Sequence, residues 1–216
     1  MLFPELKNLY SSLINLDHEA RKWLVEHPSN GTNPLLEPTI CQAFIDACHR
    51  NLGVDFSYGG YLENRSTLWR GSYLDQDQRY IHLGVDFNVP AGTSVAINQP
   101  ATIIRIDNDY PEEHGWGTRV VIQEPGTNVV MLYAHLDQQL NVAVGDKLET
   151  GSIIGRVGLP PYNGDWFPHL HVQVIDLNHY HALLENSLQD LDGYGRPEEL
   201  DSLKKLFPDP MKFVSI

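Results

Sequence analysis

From Tyr80 onward the chain breaks into short β-rich runs separated by Gly, Pro and Asn, and this texture limits the fold more than any other feature. Runs near 81–87, 93–98, 101–107, 118–124, 128–136, 152–157 and 169–175 read as strands. The segments between them are too short for the crossover helices that parallel neighbours need, so the sheet is expected to be mainly antiparallel. Helical patterns flank this region. Leu6, Leu13, Leu16, Trp23 and Leu24 keep roughly helical spacing between Glu5 and Glu26. After a loop at Pro28–Pro34, a second helix is expected from about Pro38 to Asn51, with Gly53 as its stop signal. A further helix is expected near 180–190, and a last one opens at Pro197 and ends before Pro208. The fold class is therefore α+β: a mainly antiparallel β-sheet core with a groove, carrying helical N- and C-terminal extensions. The expected organisation is a helical region at 1–53, an extended lead-in at 54–79, a β domain at 80–176 and a helical extension at 177–216.

Composition sets further bounds. A chain of 216 residues with 42% hydrophobic residues can bury an ordinary core. The formal net charge of -13 argues against nucleic acid, which needs an excess of Lys and Arg for its phosphates. No apolar run is long enough to span a bilayer. The first residues lack a basic stretch and are interrupted by Glu5, Lys7, Asn8 and Asp17, so they do not read as a signal peptide and a cytoplasmic address is expected. Cys41 and Cys48 fall seven apart in the second expected helix. Their Cα atoms would lie about 10 Å apart there, too far for a disulfide. Both read as reduced residues on a helix face.

Residues suited to chemistry fall in the strand-rich part. In His82-Leu-Gly-Val-Asp86 the imidazole and the carboxylate are four apart, which puts them on one face of a strand. A neutral imidazole and a carboxylate on one face make half of a zinc shell. His169 and His171, in Pro168-His-Leu-His-Val-Gln-Val174, also share a face, while Leu170, Val172 and Val174 point the other way. His135 closes the apolar run Met131-Leu-Tyr-Ala-His135. Each piece alone is weak, since two histidines two apart are more often surface residues than ligands. His179-Tyr-His181 has the same spacing in a polar segment and reads as solvated.

Together these pieces resemble a known family. The stretch from His82 to Val95, HLGVDFNVPAGTSV, looks like the first signature of the lysostaphin-type zinc metallopeptidases, peptidoglycan endopeptidase-like proteins with the duplicated hybrid motif fold. Tyr133-Ala-His135-Leu136 resembles their middle motif, and His169-Leu-His171-Val their terminal one. The glycine-punctuated stretch from Val144 to Gly158 is similar to the strand pair before the terminal motif. The resemblance covers roughly residues 80–176. It implies one Zn2+ per chain held by His82, Asp86 and His171. His135 and His169 would flank an open fourth position as catalytic residues. It implies a hydrolase acting on a peptide-like or amide substrate, with peptidoglycan-type peptides among the candidates.

The chain also departs from the family pattern. The loop Leu159–Pro168 carries the bulky Trp166 and Phe167, which should reshape the groove. Gln173 stands near the place of a usual glutamate. Tyr61, Glu63 and Arg65 read first as a structural ion pair on a surface loop; the alternative is a contribution to the groove, or a side chain that occludes the metal. The second functional reading is a latent metal-containing binding or interaction module of the same fold.

Overall fold

The computed structural model describes residues 1–29, 31–110, 115–185 and 191–216. In chain order its strands are β1 (Ser11–Leu13), β2 (Phe56–Gly59), β3 (Ile81–His82), β4 (Val85–Asn88), β5 (Ser94–Ala96), β6 (Ala101–Asn108), β7 (Thr118–Gln123), β8 (Val129–Leu136), β9 (Lys147–Leu148), β10 (Ile153–Arg156), β11 (Leu170–Asp176) and β12 (Tyr194–Gly195). The α-helices are α1 (Leu16–Glu26), α2 (Pro38–Leu52), α3 (Tyr73–Gln76), α4 (Leu177–Glu185) and α5 (Leu200–Leu206). Eight strands form one sheet in the order β1-β2-β4-β11-β8-β7-β6-β9, and the pairs β10-β5 and β12-β3 stand beside it. All pairings are antiparallel except β1 with β2. Among the described residues no helix is long and apolar enough to cross a membrane.

Alternation along the central strands separates two apolar layers. Val85 and Phe87 of β4, Met131 and Tyr133 of β8, and Leu170, Val172 and Val174 of β11 build the core on one face. On the other face Val130, Leu132, Ala134 and Ile175 pack with Tyr180 and Leu183 of α4 and Leu203 of α5. A third cluster joins α1 and α2 through Leu16, Ala20, Cys41, Phe44 and Ile45 to Trp69, Leu74 and Phe167. Asp86 and His171 lie across from each other in the β4–β11 register. They sit on the face away from the Val85–Phe87 core, so the strand period delivers them to one place.

The helix expected over Glu5–Glu26 begins only at Leu16. Its leucine spacing served no common face: Leu6 packs on the sheet core, Leu16 joins the helical cluster and Leu13 is 69% exposed. The backbone of Ser11–Leu13 is taken instead by the ladder with β2. Asn15 then caps α1 by accepting from the His18 N–H. Helix α2 follows expectation, with Pro38 in its first turn, Glu37 accepting from the Thr39 and Ile40 N–H groups, and Gly53 in the left-handed region at its end. The lead-in 54–79 is more than a connection, because β2 is a member of the main sheet beside β4. Of the helix expected near 180–190, the described part ends at Glu185; residues 186–190 lie outside the described residues. Cys41 and Cys48 are free and buried, and burial pushes the Cys48 thiol up to about 11.

Candidate metal centre

His82, Asp86 and His171 converge, each offering one atom, with the three atoms within 4.8 Å of one another. The nearest approaches are His82 Nε2 to His171 Nδ1 at 3.0 Å, His171 Nδ1 to Asp86 Oδ1 at 2.9 Å, and His82 Nε2 to Asp86 Oδ1 at 3.2 Å. Hydrogen bonds outside the triangle decide what these atoms are. The Gly60 carbonyl lies 3.1 Å from His82 Nδ1 and can only accept, so Nδ1 of His82 carries the proton and Nε2 a lone pair. Gln173 donates its amide to the carbonyls of Leu191 and Asp192, which leaves its oxygen to accept from His171 Nε2 at 3.1 Å. Nδ1 of neutral His171 is then also a lone pair. Three acceptors thus face one another at 2.9–3.2 Å with no proton among them. Such a cluster is repulsive by itself and attractive around a cation. Its edges approach the roughly 3.3 Å expected of a tetrahedral shell with bonds near 2.0–2.1 Å, so the residues fit a zinc ion.

Two glycines make the convergence sterically feasible. A Cβ on Gly84 would lie 2.5 Å from the His171 ring and 2.6 Å from the Val172 carbonyl. Gly60 has a φ of +100°, and a Cβ there would lie 2.8 Å from His82 Nδ1. The His-Leu-Gly-Val-Asp spacing therefore carries a packing requirement at its centre as well as two of the converging residues at its ends.

His135 reaches the same site by breaking the strand period. Its parity is that of Met131 and Tyr133, which face the core, yet its ring centroid lies 4.3 Å from that of His169 and 6.2 Å from that of His171. A φ of +62° at His135 and a register shift between β7 and β8 turn the side chain over and give the core position to Leu136. The turn is held by the His135 N–H donating to Trp116 O and the His135 carbonyl accepting from Gly158 N–H. The Nδ1 atoms of His135 and His169 donate to the carbonyls of Asn163, at 2.7 Å, and Phe167, at 2.8 Å. Both rings therefore turn an unprotonated Nε2 toward the site; that of His169 lies 3.9 Å from Asp86 Oδ1.

Burial governs the electrostatics. His82, Asp86, His135, His169 and His171 are all 8% exposed or less. Desolvation pulls His82 down to about 3, with the Arg65 guanidinium adding to the effect. Desolvation, then neighbouring histidines, holds His135 well below the usual imidazole range, and desolvation also lowers His169. Burial by itself would raise the Asp86 carboxyl, but the neighbouring His82 and the Arg65 guanidinium hold it well below the usual carboxylate range.

The lead-in enters the site directly, which corrects the surface-loop reading of Glu63 and Arg65. Both are buried. Arg65 donates from Nη1 to Asp86 Oδ2 at 2.6 Å and from Nε to Glu63 Oε2 at 3.0 Å. Glu63 in turn accepts from the Asp17 N–H in α1, and the Asp17 carboxylate accepts from the N–H groups of Thr67 and Leu68. The first helix is thereby wired to the outer oxygen of Asp86, leaving Oδ1 for the cluster. Tyr61 sits apart and donates to the Phe207 carbonyl. Sequence reasoning did not find Asp17, because a single aspartate in a first helical turn looks like an ordinary capping residue. His179 and His181 lie in α4, away from the centre. His114 lies outside the described residues.

The five residues open onto a cavity of about 350 Å3, whose wall also includes Leu36, Trp69, Leu74, Trp166 and Tyr194.

Residues 80–182 match peptidase family M23, just under half of the chain. The match reaches only that segment, which is similar to the M23 peptidases. Among solved structures, the chain is similar to the catalytic domain of lysostaphin from Staphylococcus simulans, at 26% identity over 58% of this chain and 80% of that one, with a TM-score of 0.41. It is similar to the catalytic domain of the prophage-encoded M23 protein EnpA from Enterococcus faecalis, at 26% identity over 44% of this chain and 68% of that one, with a TM-score of 0.38. It also matches a zinc-containing peptidase from Vibrio cholerae at 24% identity, covering 46% of this chain and 28% of that one, with a TM-score of 0.37. No curated protein matches the chain in sequence.

Proposed function

We propose that the chain is a zinc-dependent hydrolase of peptide or amide bonds, with His82, Asp86 and His171 as metal ligands and His135 and His169 as catalytic residues. The observation that carries this reading is the set of tautomers fixed by backbone carbonyls and Gln173. It aims three lone pairs at one point and two further Nε2 lone pairs beside it. A Zn2+ ion held there supplies Lewis-acid activation of water and of a carbonyl. The protein's own groups supply the rest. His135 and His169 are neutral at pH 7, so either Nε2 can take the proton of an attacking water. Once protonated, the same nitrogen becomes a donor to the developing oxyanion or to the leaving amine. The carbonyls of Asn163 and Phe167 keep both rings oriented through that exchange. No serine or cysteine nucleophile is required.

Peptidoglycan-type peptides and small amides both belong to the chemistry that such a centre performs, and a cytoplasmic site of action is part of this proposal. The test is hydrolysis of a short-peptide and amide panel, pentaglycine included, by zinc-loaded protein. New amino termini should appear with wild type and be absent with His135→Ala and with His169→Ala, both retaining zinc. Loss of zinc from either variant would reassign that histidine as a ligand. A zinc-loaded wild type that cuts nothing in the panel would favour the latent binding module. The depth of the centre, with His82 only 1% exposed, is the observation on that side.

A further inference from the structure

Four elements outside the M23-matched segment reach over the metal centre. Leu36 precedes α2, Trp69 and Leu74 belong to the lead-in and α3, and Tyr194 lies in β12. With Trp166 they form an apolar and aromatic wall facing the histidines across the 350 Å3 cavity. The wall is built rather than draped. The Trp69 ring meets Tyr194 edge-on at 4.4 Å, and Asn33 donates to the carbonyls of Thr67 and Leu68 beside it. The Trp69 N–H donates to the Arg65 carbonyl.

Size and charge together narrow what fits. The cavity of about 350 Å3 is open to solvent on one side, so it encloses a compact group while the rest of a longer ligand, at about 3.3–3.6 Å per extended residue, lies outside it. The charged lining residues among those described are Arg65 and Asp86, and they are paired with each other. Among the described residues no carboxylate in the cavity is left to receive an ammonium group, and Arg65 with a bound dication would repel one. Besides the histidines and the hydroxyl-bearing Ser72 and Tyr73, the lining is mainly aromatic and aliphatic, which rewards burial of an apolar group.

We propose, resting on the hydrolase reading above, that this cavity takes a compact amide with an uncharged apolar or aromatic group beside the reacting carbonyl, and that Trp69, Leu74 and Trp166 select it. An extended glycine-rich strand has no side chain to place against this wall and gains little from it. The N-terminal region is then the specificity element of the M23-matched segment.

Zinc-binding hydroxamates test this without depending on turnover. Binding of acetohydroxamate, 3-phenylpropionohydroxamate and N-acetyl-triglycine hydroxamate to the zinc-loaded full chain is measured by calorimetry. The phenyl compound should bind roughly tenfold or more tightly than acetohydroxamate, the gain expected for burying a ring. The triglycine compound should gain nothing over acetohydroxamate. In Trp69→Ala the phenyl advantage should shrink to about threefold or less. Trp166→Ala, at a less buried position, repeats the test if Trp69→Ala does not fold. Equal binding of the phenyl and acetyl compounds, or tightest binding of the triglycine compound, overturns the proposal and leaves the hydrolase reading intact. Failure of acetohydroxamate to bind the loaded protein overturns the metal centre, and the proposal with it.

Discussion

Replacing Gln173 by leucine separates the chemistry of the centre from its scaffolding. Gln173 is fully buried, accepts from His171 Nε2 and donates to the carbonyls of Leu191 and Asp192. Leucine keeps similar bulk but orphans all three groups, and each buried orphan costs about 1–3 kcal/mol. The zinc-free variant should therefore unfold at clearly lower urea concentration. The effect on metal is more telling. Without an acceptor at Nε2, the His171 proton moves to Nδ1, where Asp86 Oδ1 waits at 2.9 Å. That hydrogen bond consumes two of the three ligand atoms and must be broken before zinc enters. Loss of such a supporting partner typically weakens metal binding 10–100-fold, or about 1.4–2.7 kcal/mol. The assay is zinc competition against a chromophoric chelator, on protein shown by circular dichroism to be folded. A folded variant whose zinc affinity stays within threefold of wild type would refute the tautomer argument, and with it the role given to Gln173.

Two other predictions rest on the same network. Arg65→Met leaves the carboxylates of Asp86 and Glu63 buried without their shared cation, so the zinc-free protein should lose about 3–5 kcal/mol of stability in denaturant titration. Zinc should restore part of that loss, because the ion replaces the guanidinium charge beside Asp86; equal losses with and without zinc would contradict this. The pH dependence of the zinc-free protein follows from imidazoles buried neutral. His82, His135 and His169 are all lowered by burial, so below their ordinary value near 6.5 the unfolded chain binds more protons than the folded one. Stability is then complete above about pH 6.5 and falls as the pH drops. With its folded value at about 3, His82 alone accounts for about 2 kcal/mol of that loss by pH 5. A urea midpoint that stays flat from pH 7.5 to pH 5 would count against these histidines being buried and neutral.

The strands of the β domain were legible because alternation and glycine breaks are local signals. The runs at 118–124, 128–136 and 169–175 lie within a residue or so of β7, β8 and β11. The convergence of His82, Asp86, His169 and His171 was legible from their spacings, although the expected strand at 81–87 is divided in two: His82 ends β3, which pairs with β12, and Asp86 lies in β4 of the main sheet. The way His135 enters was not legible. Parity puts it in the core, and only its left-handed backbone with the accompanying bulge turns it to the site. Short elements paired at long range were also hidden. Nothing in Ser11–Leu13 announces a parallel partner more than forty residues away, and β9 and β12 are two residues each. The Asp17–Glu63–Arg65–Asp86 chain was missed for a related reason. Asp17, Glu63 and Arg65 look like surface charges until the fold buries them, and only the tertiary structure brings α1 to the lead-in and the lead-in to Asp86.

A three-ligand zinc centre, with two histidines beside it that hold no metal, is the core of the proposed function. Metal content by elemental mass spectrometry reads this directly, on wild type, Asp86→Ala and His135→Ala, each loaded with zinc and passed over a desalting column. The structure predicts one zinc per chain in wild type and in His135→Ala, and almost none in Asp86→Ala, where the one carboxylate of the triangle is gone. Wild-type protein that emerges without zinc, or Asp86→Ala that retains a full equivalent, would contradict it.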